Sequence, residues 1–215
     1  MNLSLEHLVR EPKIKKDKNP LLLLLHGYGS NEQDLFSFAA ELPDEYYVIS
    51  ARAPYDLQYG SYAWYAINFD ADQNKFSDNE QAKTSRDRIV AFLEEAIAAY
   101  AIDADNITLI GFSQGTILSY AVALSYPEKI RRVGALSGYL NVEILKDNYL
   151  DNDFSKLSMF ISHGTSDQVI PVSWAQKAPI LLNESGIKTV YKEYPIGHGV
   201  SPQNFYDLKS WLESE

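Results

Sequence analysis

Residues 106–127, NITLIGFSQGTILSYAVALSYP, decide how the rest of the chain is read. The stretch before Gly111 is apolar and β-prone, and residues 116–126 form a helix-competent run of Ile, Leu, Ala, Val and Tyr closed by Pro127. The order is therefore strand, tight turn, helix. Ser113 stands at the turn with Gly111 and Gly115 two residues to either side, the form of a nucleophile elbow. Such a serine is held in a strained turn that lifts its hydroxyl above the sheet, where a Cβ at either glycine would strike neighbouring backbone. The helix that follows aims free N–H groups and the positive end of its dipole at a reacting carbonyl. Five residues of this kind also arise by chance, so the remaining chain has to supply the partners.

At 215 residues the chain suits a single domain, 1–215, able to bury a substantial core. With 46% hydrophobic residues, 11 Gly and 9 Pro, the composition is that of an ordinary globular protein. A formal net charge of −10 argues against a nucleic-acid partner, which would need a concentrated basic face. The lysines at 13, 15, 16 and 18 are interrupted by Asp17 and flanked by Pro12 and Pro20, and read as a solvated turn. Cysteine is absent, which removes disulfides, thiol nucleophiles and thiolate metal sites together. The apolar run at 21–25 is too short for a signal segment or a membrane span, so a cytoplasmic location without stable membrane insertion is expected. A homodimer is left open.

The alternation of elements predicts an α/β fold with a mostly parallel, doubly wound sheet and helices on both faces. Alternation at Leu3, Leu5 and His7 suits a first, edge strand. The five leucines at 21–25 suit a strand covered on both faces. Asn31 can cap a short helix running to Leu42, and residues 46–50 read as the next buried strand. Helical spacing of Ile89, Phe92, Leu93, Ala96 and Ile97 predicts a helix over 85–100. Beyond the elbow, strands are expected at 132–136, 158–162 and 188–194, with helices at 172–185 and 202–215. Residues 54–79 have no clean periodicity and are rich in aromatics, which marks them as a lid or substrate-binding loop.

An elbow serine needs a base, an acid to orient that base, and donors for the developing oxyanion. In this architecture the partners follow in the order serine, carboxylate, histidine. Only His163 and His198 lie downstream of Ser113. His163 ends an apolar strand and reads as structural, whereas His198, between Gly197 and Gly199, sits in a loop from which an imidazole can reach the sheet edge. The acidic candidates are Glu128, Glu143, Asp147, Asp151, Asp153, Asp167, Glu184 and Glu193; Asp151 and Asp153 lie in a polar stretch and read as solvated. Asp167 follows a strand at its carboxyl end, where α/β sites collect, and is the expected acid. For the oxyanion, the N–H of Gln114 and an N–H from the glycine loop at 26–29, that of Tyr28, are the expected donors. His26 reads as a structural residue bracing that loop.

These residues resemble the phospholipase/carboxylesterase family, which includes small bacterial carboxylesterases and acyl-protein thioesterases. The resemblance rests on His26-Gly27-Tyr28-Gly29, Trp64-Tyr65, Gly111-Phe112-Ser113-Gln114-Gly115, His163-Gly164-Thr165-Ser166-Asp167 and Gly197-His198-Gly199, spread over nearly the whole chain. It implies an α/β-hydrolase fold and a serine hydrolase that needs no cofactor, acting on small-molecule carboxylic esters or thioesters, with Tyr28 and Gln114 as oxyanion donors. Carboxylesterase is the first expectation, acyl-protein thioesterase or lysophospholipase the second, and a catalytically silent hydrolase-fold binding protein the reading from another class. Thr116 departs from the pattern, since many relatives carry another glycine there. Tyr62, Trp64, Tyr65 and Phe76, in the aromatic loop, and Ile170, just past Asp167, are the expected substrate-binding residues. No metal is expected: the Asp70-Ala71-Asp72-Gln73-Asn74 stretch begins like a calcium loop but has Lys75 where the loop needs glycine and Gln81 where it needs glutamate.

Overall fold

The computed structural model describes residues 3–69 and 75–214, without the side chains of residues 69, 75 and 76. In chain order the strands are β1 (His7–Arg10), β2 (Asn19–Leu25), β3 (Tyr47–Ala51), the short β4 (Tyr55–Asp56), β5 (Tyr62–Ala63), β6 (Ile67–Phe69) and β7 (Lys75–Ser77), then β8 (Ile102–Phe112), β9 (Arg132–Leu136), β10 (Ser158–Gly164) and β11 (Lys188–Tyr194). The helices are α1 (Gln33–Phe36), α2 (Asn79–Ala99), α3 (Gln114–Ser125), α4 (Val172–Ala175), α5 (Lys177–Glu184) and α6 (Pro202–Glu213). One seven-stranded sheet runs β1-β3-β2-β8-β9-β10-β11, parallel throughout except for the antiparallel edge strand β1. The elbow therefore opens from the central strand.

The leucines of β2 explain why both faces must be covered. Successive side chains of a strand point to opposite faces. Leu21, Leu23 and Leu25 enter the core shared with Ile89, Phe92 and Leu93 of α2 and Leu118 and Val122 of α3. Leu22 and Leu24 enter the opposite core with Leu35 of α1 and Phe205, Leu208 and Leu212 of α6. Burying one leucine contributes roughly 1.5–3 kcal/mol, so exposing either face would cost several such terms.

Several elements differ from the expectations above. The edge strand lies at residues 7–10, because pairing of His7 with Ala51 through Arg10 with Val48 sets its position, not the alternation at 3–8. The helix expected from Asn31 to Leu42 is regular only over Gln33–Phe36, with Asn31 Oδ1 accepting from the Gln33 N–H at 2.9 Å. Helix α2 begins six residues early, where the Asp78 carboxylate caps the Gln81 N–H at 3.0 Å. The helix expected over 172–185 breaks at Gln176: Pro179 has no N–H to return to Ala175, so α4 cannot run on into α5. Residues 54–79, expected as one irregular loop, contain two short antiparallel ribbons, β4 with β5 and β6 with β7.

Candidate active site

At the elbow, Ser113 holds φ 53° and ψ −115°, a region that side-chain-bearing residues rarely occupy. Its N–H donates to Leu136 O of β9 at 2.9 Å, which anchors the turn to the neighbouring strand. A Cβ on Gly111 would sit 2.5 Å from the backbone of Gly115 and Thr116, and one on Gly115 would sit 2.0 Å from Leu25 O. The helix thus crosses its own strand and β2 at distances that exclude any side chain. Thr116 fits by a different device. Its hydroxyl lies 2.6 Å from Leu136 O, 2.7 Å from Gly111 O and accepts the Leu136 N–H at 3.0 Å. Its methyl and Cβ fill the space that a Cβ on Gly138 would need, 2.5 Å away.

Ser113, His198 and Asp167 come together from three loops at the carboxyl edge of the sheet. His198 Nε2 lies 3.0 Å from Ser113 Oγ, and His198 Nδ1 lies 2.7 Å from Asp167 Oδ2. The loops are tied to each other: Thr165 N–H donates to Tyr194 O at 2.8 Å, Ser166 N–H to Ile196 O at 3.0 Å, and Ser137 Oγ to Gly199 O at 3.1 Å. Burial alone would raise the Asp167 carboxyl. The N–H groups of Ile170 and Val169 and the His198 ring outweigh it and hold Asp167 below the usual carboxylate range. It is therefore charged at neutral pH, and as the acceptor it fixes the proton of a neutral His198 ring on Nδ1, leaving Nε2 bare to face Ser113.

Gln114 is the first residue of α3, so its N–H is among the free donors of that helix end. The Tyr28 N–H, on the loop after β2 whose Gly27 lies against Phe112 and Ser113, has no backbone hydrogen bond among the described residues. His26 braces this loop: its Nδ1 bonds Gly27 O at 2.8 Å and its Nε2 accepts the Ala53 N–H at 3.0 Å. Accepting at Nε2 requires a neutral ring. Burial, the largest influence, pushes the His26 pKa below its ordinary value, the Gly27 carbonyl opposing it. A histidine in the unfolded chain takes a proton near pH ~6.5 while this one does not, so the unfolded state binds more protons below that pH. Stability should fall as pH drops through about 6.5 and level off once the folded ring also protonates. Urea midpoints between neutral and mildly acidic pH check this, together with the His26 ring resonances of the folded protein; a ring titrating at or above the ordinary histidine value would refute it.

A cleft of about 780 Å³ opens beside Ser113 and His198. Of the residues expected to bind substrate, Tyr65 and Ile170 line it, and Tyr28 does so as well. Tyr62 does not: it faces a separate hollow, where Arg52 lies 4.7 Å from its ring centroid and pairs with Glu32. Trp64 does not either. It is wholly buried, with its indole N–H on His26 O at 3.0 Å, because an aromatic with one polar edge can serve as a brace between two loops. The Phe76 side chain and the calcium-like stretch 70–74 lie outside the described residues. Much of the apolar lining comes from Ile117, Tyr139, Val169, Trp174 and Leu181.

Residues 7–215 match the family model described as phospholipase/carboxylesterase. The chain belongs to the phospholipase/carboxylesterase family. Within it, the chain is 27% identical over 235 residues to an acyl-protein thioesterase 1 of Cryptococcus neoformans, covering 99% of this chain and 98% of that one. It is 26% identical over 204 residues to a probable carboxylesterase of Oryza sativa, covering 90% and 76%. Among solved structures, the Bacillus cereus carboxylesterase superposes with a TM-score of 0.85 at 23% identity, covering 99% and 95%. The fold is that of the α/β-hydrolases, and the protein is a hydrolase of the ester and thioester type.

Two side chains of this family member escape a reading by motif. The Gln114 side chain has partners of its own: its Oε1 accepts the Trp64 backbone N–H and its Nε2 donates to Tyr65 O, each at 2.8 Å, clamping the aromatic loop to the elbow. Nothing in the spacing of residues 64 and 114 signals this. Ile117 was within reach of sequence reasoning, since it lies one helical turn beyond Ser113 and so on the same face of α3.

Proposed function

We propose that the protein is a serine carboxylesterase working through an acyl-enzyme on Ser113, His198 and Asp167. The observation that carries this reading is the continuous bond path from Ser113 Oγ to His198 Nε2 at 3.0 Å and from His198 Nδ1 to Asp167 Oδ2 at 2.7 Å. Ser113 Oγ attacks the ester carbonyl as His198 Nε2 takes its proton, and Asp167 stabilises the resulting imidazolium. The carbonyl oxygen, now negative, is held by the Tyr28 and Gln114 N–H groups. Collapse expels the alcohol, which takes the proton back from His198. Water then attacks the acyl-enzyme with its proton passing to His198, and the carboxylic acid leaves as Oγ is reprotonated. No cofactor enters any step.

The cleft supplies mostly apolar walls, with Tyr65 and Ile67 contributed by segment 54–79, so that segment serves as a substrate-binding wall within one catalytic domain, 1–215. Small esters or thioesters with apolar acyl groups fit this lining. A thioesterase or lysophospholipase reading uses the same machinery, and the near full-length likeness to an acyl-protein thioesterase keeps it in view. No helix among the described residues is long and apolar enough to cross a membrane; we place the protein in the cytoplasm.

Labelling with a fluorophosphonate, followed by peptide mapping, should modify Ser113 alone. Rates on matched p-nitrophenyl esters and acyl thioesters of increasing chain length should then show ester turnover exceeding thioester turnover. An unlabelled Ser113 would revive the silent binding protein, and the opposite rate order would favour the thioesterase.

A further inference from the structure

His163 is the one wholly buried histidine beside the triad that the mechanism leaves without a task. It sits near the end of β10, four residues before Asp167. Its Nε2 lies 2.8 Å from Ile170 O and 3.2 Å from Asp167 Oδ2, while its Nδ1 is buried with no partner among the described residues. Both neighbours of Nε2 are acceptors, so the proton resides on Nε2, where it is given to Ile170 O, while Asp167 Oδ2 packs against the same atom at 3.2 Å, and Nδ1 is bare. Leaving Nδ1 unsatisfied costs free energy, and a ring chosen only to fill space would not carry that cost. The ring is placed for what Nε2 touches.

We propose that His163 is a positioning residue for the triad, holding Asp167 and the turn 167–170 from the side opposite His198; the proposal rests on the triad reading above. Asp167 Oδ1 accepts the N–H groups of Val169 and Ile170 at 2.8 and 2.9 Å, and Oδ2 faces both His198 Nδ1 and His163 Nε2. Ile170 closes the ring, giving its N–H to Asp167 and its carbonyl to His163. The carboxylate can neither rotate about its Cβ–Cγ bond nor slide toward the cleft without breaking one of these contacts. Val169 and Ile170 also line the cleft, so one buried imidazole ties the orientation of the base to the position of a substrate wall.

Steady-state kinetics on p-nitrophenyl acetate test this in the wild type, His163→Leu, His163→Gln, Asp167→Asn and the double variant His163→Leu/Asp167→Asn. Leucine keeps the volume and removes the donor, and should lower kcat about 10-fold, the size of one lost orienting hydrogen bond, with KM within about 2-fold. Glutamine restores an N–H at similar reach and should recover kcat to within about 3-fold of wild type. Because His163 acts through Asp167, the leucine substitution should cost less than about 2-fold in the Asp167→Asn background. Equal losses for leucine and glutamine, or an undiminished loss in the double variant, would overturn the proposal. An Asp167→Asn variant that keeps wild-type kcat would instead overturn the triad reading, which separates the two failures. Should His163→Leu not fold, ¹⁵N-histidine spectra of the wild type decide: His163 should carry its proton on Nε2 with Nδ1 bare, and a proton on Nδ1 would sink the assignment.

Discussion

Ser113→Ala should lower kcat for p-nitrophenyl ester hydrolysis by on the order of 10⁵- to 10⁶-fold while leaving the urea midpoint nearly unchanged. The loss is large because the covalent bond to the substrate in the proposed acylation is made by Ser113 Oγ, and Ser113 Oγ is the hydroxyl at the 3.0 Å contact with His198 Nε2. The fold should survive because the anchors of the turn are backbone groups. The Ser113 N–H still reaches Leu136 O, and Gly111 and Gly115 still admit the crossing of helix and strand. Alanine meets the same positive φ as serine, so it neither adds nor relieves strain there. The tetrahedral pocket remains, and residual catalysis from the Tyr28 and Gln114 N–H groups sets the floor. Turnover within 10²-fold of the wild type, in a preparation free of wild-type enzyme, would remove Ser113 from the nucleophile role.

Gly115→Ala is the second large effect, and it acts on stability and activity together. The added Cβ would lie 2.0 Å from Leu25 O, 2.6 Å from Leu25 C and 2.8 Å from His26 O. None of these is a flexible side-chain end, and β2 is locked between β3 and β8, so the only relief is for α3 to move outward. Its inner face is fully buried against the core, and such overpacking typically costs about 1–3 kcal/mol, here at the upper end or beyond. The same movement carries the Gln114 N–H away from the loop that bears the Tyr28 N–H. Molecules that still fold should therefore lose roughly 10²-fold in kcat, the usual effect of misplacing one oxyanion donor. Urea unfolding and kcat measured on one preparation check both halves. Wild-type values in both would show that the helix does not approach β2 as closely as described.

The difference between the two substitutions shows what the elbow motif encodes. In the proposed mechanism Ser113 carries the chemistry, and its glycines carry the distance of approach that puts Ser113 at the centre of the sheet. Both were legible because a steric rule links a local pattern to a local geometry. The order of Ser113, Asp167 and His198 was legible for a related reason: each stands after a strand or at a helix start, and in a parallel sheet those positions share one edge. Trp64 and Tyr62 were misread. A cluster of aromatics near a site has the same composition whether it lines a cleft or braces the loops beneath it, and Trp64 took the brace because its N–H found His26 O.

What the sequence determined by itself is everything set by neighbours along the chain. That includes the covered strand of leucines, the strained serine between glycines, and the chain order of Ser113, Asp167 and His198. Tertiary structure alone decided which of the aromatics face the cleft and which brace it, why Thr116 is tolerated, and what Gln114 and His163 touch. The physical reason is the range of the interactions. A turn or a strand pattern is written within a few residues, but Thr116 meets Leu136, Gln114 meets Trp64, and the cleft gathers Ile67, Ile117 and Trp174 only after the sheet has brought distant segments within bonding distance.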